Sequence, residues 1–193
     1  MRIHSGIGNG KEAGVDKNNR LMVEASTRSA QARVSIEDGQ AFQVSSSDVA
    51  VSTSEQEILV IKNNYLNLKV VVTYIRVQTA DVAARNAAAF WTIGLNEGYV
   101  SGGTAIEPVN VNTDSGFSAQ DLACYDGSVA IVTSGTFDQI DRNFGANTRE
   151  TYNKEGALVV GPGGMLSIKH IGSTIAGVAN ARVSFYLTDN GGS

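Results

Sequence analysis

Few side chains in this sequence have chemical reach. His4 and His170 are the only histidines, and Cys124 is the only cysteine. A metal site needs several converging ligands, and no His-x-His, His-x-x-x-His or Cys-x-x-Cys spacing occurs. His170, following Ile168 and Lys169, therefore reads as a strand-end residue facing solvent. A nucleophilic thiol needs a base beside it and a lowered pKa. Cys124, in the stretch DLACYDG, reads instead as a buried structural thiol. Asp138 and Asp141, three apart near Arg142, have the types of an acid and a base, but carboxylates in a polar stretch are more often simply solvated. Ser134 lies in no Gly-x-Ser-x-Gly elbow and reads as a turn residue. Gly6, Gly8 and Gly10 lack the strand before and the helix after that a phosphate loop requires. Asp16 and Asn18 begin like a calcium loop, but Arg20 holds its fifth position and Leu21 replaces the glycine of its sixth. Trp91 and Tyr99 offer aromatic faces of the kind that stack on sugars. Trp91, between Phe90 and Ile93, is more economically a core residue. These residues predict no catalytic, cofactor-binding or metal-binding site, and no enzyme.

The elements that would position any site are strands. Residues 58–79 (ILVIKNNYLNLKVVVTYIRVQT) are the longest stretch rich in β-branched and aromatic residues. They predict two consecutive strands near the centre of a sheet, with a corner at Asn63 and Asn64. Shorter strands are expected at 21–25, at 32–36 and 41–45 as a hairpin about Glu37, Asp38 and Gly39, and at 49–51. Further strands are expected at 90–95, 104–111 (an edge or bulged strand because of Pro108), 129–133, 157–160, 165–169 and 181–187. The alanine-rich stretch 80–89 is the best helix candidate, though without an apolar stripe. Residues 112–127 and 138–156 are polar and predict two long connections, of the kind that carry contacts on a rigid scaffold. The expected fold class is all-β, an antiparallel, jelly-roll-like β-sandwich of roughly eight to ten strands. Residues 1–20, with four glycines, predict an extended N-terminal arm, and 21–193 form one domain.

Composition agrees. Of 193 residues, 42% are hydrophobic and 18% charged, with 21 glycines and two prolines. That charged share is low against a usual ~25%, which is consistent with surface covered by other chains. The net charge of −4 and the scattered Lys and Arg argue against direct nucleic-acid binding. No membrane-spanning run or secretory segment is legible, and synthesis in a reducing cytoplasm is the simplest expectation. A lone cysteine excludes an intramolecular disulfide framework.

Four stretches carry a resemblance. They are the glycine-rich start leading to Val15, Asp16, Asn18, Asn19, Arg20, Leu21 and Val23; the run from Ile58 to Asn64; Pro108, Val109, Asn110, Val111, Asn112, Thr113 and Ser115; and the turn Gly161, Pro162, Gly163, Gly164 before Met165, Leu166, Ser167 and Ile168. With these, the chain resembles a family of tailed-bacteriophage virion structural proteins, small β-sandwiches that decorate or cement the capsid. The stretch 80–89 departs from that pattern. The resemblance implies a jelly-roll-like fold, a homotrimer on the outer capsid surface, the major capsid protein as partner, and no enzymatic activity. It supplies no functional residues. A low-copy neck, tail or fibre-base component and a carbohydrate-binding module for host attachment are the alternative expectations. The arm and the two polar connections are the expected contact regions.

Overall fold

Side chains branched at Cβ crowd the preceding turn of a helix but pack well on a pleated sheet, so chains rich in Val and Ile tend to be extended. The structure, a computed structural model, describes residues 3–4, 12–13, 34–51, 54–81, 89–95, 97–132, 136–143, 149–171 and 177–189. Its strands in chain order are β1 (Ile3–His4), β2 (Glu12–Ala13), β3 (Ala41–Ser45), β4 (Val49–Val51), β5 (Glu55–Asn63), β6 (Leu68–Asp81) and β7 (Ala89–Leu95). They continue with β8 (Gly98–Ile106), β9 (Val109–Asn110), β10 (Leu122–Val132), β11 (Thr136–Asn143), β12 (Arg149–Val160), β13 (Met165–Ile171) and β14 (Gly177–Asp189).

Eight of these strands form a jelly roll. Folded as one long hairpin, the chain pairs β3 with β14, β5 with β13, β6 with β12 and β7 with β11. Rolling that hairpin sets β14 beside β6 and β13 beside β7. The two resulting four-stranded sheets, β3-β14-β6-β12 and β5-β13-β7-β11, are antiparallel throughout and share one core. Between β7 and β11 the chain inserts three more strands. β10 pairs with the free edge of β5, β8 pairs with β10, and β9 pairs with β3. The insertion therefore widens both sheets.

The core lies between the sheets. Phe42, Val70, Val72, Ile75, Val77, Val183, Phe185 and Leu187 come from one side, and Leu59, Ile61, Trp91, Ile93, Leu166 and Ile168 from the other. β6 needs a device to do this, because Val70 and Val72 are out of phase with Ile75 and Val77 in a two-residue period. A register shift opposite Ser184 and Phe185 corrects the phase. Thr73 sits at this bulge and donates its hydroxyl to the Ser184 carbonyl at 3.0 Å.

The expected corner at Asn63 is present, but it joins two sheets and is not the centre of one. β5 and β6 each lie inside their own sheet. Asn63 is fully buried. Its Nδ2 donates to the carbonyls of Leu68 (2.9 Å) and Val160 (3.1 Å), and its Oδ1 accepts the Tyr65 N–H at 3.1 Å. The glycine turn docks on the same residue: Gly163 N–H donates to Asn63 O at 2.8 Å, and Asn63 N–H donates to Gly164 O at 2.9 Å. Gly163 has φ +73°, a left-handed conformation that glycine adopts without steric cost.

Other expectations are corrected. Residues 34–38 are not a strand but a π-helical turn, Val34–Asp38, so no hairpin forms with β3. Gly39 follows at φ +64°, where an added Cβ would overlap the Ser115 hydroxyl. The polar connection 138–156 is mostly strand, because β11 and β12 are the outermost strands of their sheets and an edge tolerates polar residues. The connection 112–127 is irregular only to Asp121; Leu122 to Gly127 already belong to β10. Pro108 breaks its expected strand into β8 and β9, and the chain changes sheets there because proline has no N–H to give a ladder. The fourteen strands among the described residues exceed the expected eight to ten for these reasons. In the stretch 80–89, Ala80 and Asp81 end β6 and Ala89 begins β7, while 82–88 lie outside the described residues, as does the expected strand 21–25. Of the expected arm, β1 and β2 pair with each other, Ile3 with Ala13 and His4 with Glu12; its other residues lie outside the described set.

Candidate functional site

Among the described residues, those singled out for chemistry form no shared cluster beyond a contact between Trp91 and His170. Trp91 is 1% exposed in the core and meets the His170 ring edge-on at 4.7 Å between centroids. His170 is not at a strand end facing solvent. It lies inside β13 opposite Trp91 on β7 and is fully buried. Cys124 is buried on β10, as expected, and desolvation pushes its thiol up to about 12, the reverse of an activated nucleophile. Tyr99 on β8 stacks on Tyr125 of β10 at 4.5 Å and 10°, with Lys62 Nζ 5.9 Å from its ring centre. Asp138, Asp141 and Arg142 fall on β11, with side chains outside the described set. Ser134, Gly6, Gly8, Gly10, Asp16 and Asn18 lie outside the described residues, and no side-chain geometry is described for His4.

The surface best suited to a partner is the inserted unit. The large hydrophobics exposed among the described residues include Val100 (58%), Val109 (68%) and Val111 (45%), all from β8, β9 and the residue after it. Among the described strands, β8 is the outermost of its sheet, and it carries no charged side chain over its nine residues. Sheet edges are ordinarily protected by charge, proline or a bulge. Here the protection is a pair of register shifts against β10, one between Gly102 and Thr104, with Gly102 and Gly103 at φ +85° and +78°, and one between Tyr99 and Ser101. A Cβ at Gly103 would lie 2.6 Å from Val129, so the close strand approach depends on glycine.

The irregular stretch after β9 is rigidly held. Asn110 Nδ2 donates to the carbonyls of Gly39 (2.6 Å) and Phe117 (2.9 Å), and Asn112 Nδ2 donates to Ser35 O at 2.9 Å. Asn112 Oδ1 accepts the Asp114 N–H, and Ser115 Oγ accepts the Phe117 N–H, both at 3.1 Å. Phe117 packs on Phe42, 6.1 Å between centroids. A surface ordered beforehand loses less entropy on binding. A cavity of about 310 Å³ opens beside it, lined by Glu107, Pro108, Ala119 and Leu122 among others.

A second feature went unforeseen. On β13, Leu166 and Ile168 enter the core, so the alternation of a strand sends Ser167 and Lys169 to the outer face. Both are nevertheless fully buried, and Glu97, just after β7, is nearly so. Glu97 folds back over Gly94, where an added Cβ would collide with its carboxylate. Gly94 in turn is the register partner of Ser167. Lys169 Nζ donates to Glu97 Oε1 at 2.5 Å and lies 3.2 Å from Glu55 Oε1, while Ser167 Oγ donates to Glu97 Oε2. Desolvation raises the pKa of nearby Glu57, opposed in part by the Lys169 charge. A lysine in the middle of an apolar strand was the available signal; its partner 72 residues away was not legible.

Comparison of the chain with protein families, with curated proteins and with solved structures finds no match in any of the three.

Proposed function

We propose that this chain is a non-enzymatic structural protein of a tailed-phage virion, which decorates or cements the capsid by bridging subunits of the major capsid protein. Jelly rolls build many viral shells, but they also build lectins and cupins, so the fold alone does not choose between functions. The observation that carries the reading is the inserted unit: an uncharged edge strand, three exposed valines and a hydrogen-bonded loop, all on one elaboration of the roll. Apolar surface on a rigid scaffold suits a macromolecular partner. A cement protein that binds only the assembled shell stabilises it by mass action. The reading includes a homotrimer, whose mass light scattering would report.

The test is quantitative mass spectrometry of purified virions, giving copies relative to the shell protein. Near-stoichiometric copies support head decoration. A handful of copies would move the protein to the neck, tail or fibre base, and absence would refute the virion reading. Replacing Val100, Val109 and Val111 together by Ser should leave the fold intact and weaken shell binding at least tenfold. Unchanged binding would remove the inserted unit from the interface. Host attachment through a sugar stacked on Trp91 finds no support, since that ring is buried.

A further inference from the structure

The buried cluster around Lys169 adjoins the start of the inserted unit, since Glu97 directly precedes β8, but its chemistry is independent of the virion reading. From its geometry we infer that Lys169 and Glu97 condense into an intramolecular isopeptide bond, an amide from Lys169 Nζ to Glu97 Cδ.

Three observations point there. The first is approach: Nζ is 2.5 Å from Oε1, which places Cδ one bond beyond the contact. Holding reactants together in this way supplies much of what a bimolecular reaction must find in solution. The second is dryness. Lys169 and Ser167 are 0% exposed and Glu97 is 5% exposed. Passing one proton from the ammonium to the carboxylate gives an amine and an acid, the pair that reacts, and a dry site favours neutral groups over ions. It also keeps water from the amide once formed. The third is the placement of the neighbours. Ser167 Oγ donates to Oε2, where negative charge develops when the nitrogen adds to the carbon. Glu55 Oε1 lies 3.2 Å from Nζ, and its side chain is 42% exposed, so it reaches both the nitrogen and solvent.

The step balances. The Nζ–Cδ bond forms, and the carbonyl electrons move to Oε2. Glu55 takes one proton from the nitrogen and delivers it to Oε1. The Cδ–Oε1 bond then breaks, Oε1 leaves as water, and the carbonyl re-forms at Oε2. Nothing is oxidised or reduced, and no other reactant is consumed. The product ties β13 to the turn after β7 in a chain whose single cysteine cannot form an intramolecular disulfide. It also replaces a buried ion pair, an arrangement whose desolvation cost often exceeds its attraction.

Intact mass of the full-length protein under denaturing conditions tests this directly, whether or not any variant folds. The expected mass, after allowing for removal of Met1, is lower than that of the sequence by one water. Trypsin should fail at Lys169 and release a branched peptide joining the segments that hold Glu97 and Lys169. A mass equal to that of the sequence would overturn the proposal. So would a water loss traced to the Asp38-Gly39 or Asp126-Gly127 pairs, where cyclisation to a succinimide sheds the same mass. Glu55→Gln keeps both reacting residues and should link slower by ~10²-fold or more, as for loss of an acid–base group. Linkage at an undiminished rate in this variant would refute the role given to Glu55.

Discussion

Replacing Asn63 is the sharpest test of how the two sheets are joined. Its side chain is fully buried and fills both donor positions and one acceptor position at the β5–β6 corner. In Asn63→Ala, the carbonyls of Leu68 and Val160 and the N–H of Tyr65 lose these partners. A buried group left without its hydrogen bond costs ~1–3 kcal/mol. Three such groups, partly relieved by entering water, give an expected loss of about 3–5 kcal/mol. Asn63→Asp keeps the shape but turns the donor into an acceptor facing two carbonyl oxygens, so it should cost more than Ala. Against a usual total of ~5–15 kcal/mol, either change is large. Urea unfolding followed by circular dichroism would read it as a lower midpoint at unchanged slope. If Asn63→Asp stays within about 1 kcal/mol of the parent, the reasoning fails. The corner would then be held by backbone alone, through the Gly163 and Gly164 hydrogen bonds to Asn63.

Three further outcomes are expected. Cys124 should react with a disulfide reagent only as fast as the chain opens, and prompt labelling of the native protein would contradict its burial. Its folded pKa, about 12, lies above the ordinary 9.0. The neutral thiol's contribution is therefore full below pH 9 and is lost as pH rises toward 12. By about pH 11 that amounts to roughly 3 kcal/mol, from ~1.4 kcal/mol per pH unit. Cys124→Ala should flatten the alkaline fall in stability between those limits, and an unchanged slope would refute this. Trp91 fluorescence should be blue-shifted and little quenched by acrylamide until unfolding; strong native quenching would return Trp91 to the surface and reopen sugar stacking.

Much of the architecture was legible because local pattern and burial agree in the inner strands. The alternation of Val183, Phe185 and Leu187 with Arg182, Ser184 and Tyr186 reappears as alternating burial along β14. The run around Val70 and Ile75 and the turn at Gly163 were legible for the same reason, each being decided by a residue's own backbone and face preferences. The polar strand β11 and the polar part of β12, 149–156, were not, because an edge strand owes its shape to the neighbour it pairs with, whereas the apolar end of β12 at 157–160 was legible. The phase change at Thr73 likewise exists only against β14.

Composition and spacing alone determined an all-β chain with an apolar inner face, since side-chain branching and period-two alternation act within a few residues. Tertiary structure alone decided which strands share a sheet, that His170 is buried, and that Lys169 meets Glu97 over Gly94. The physical reason is register. A side chain's solvent and partners are set by residues opposite it, often seventy or more positions away in sequence, as the Ser167–Glu97 pair is.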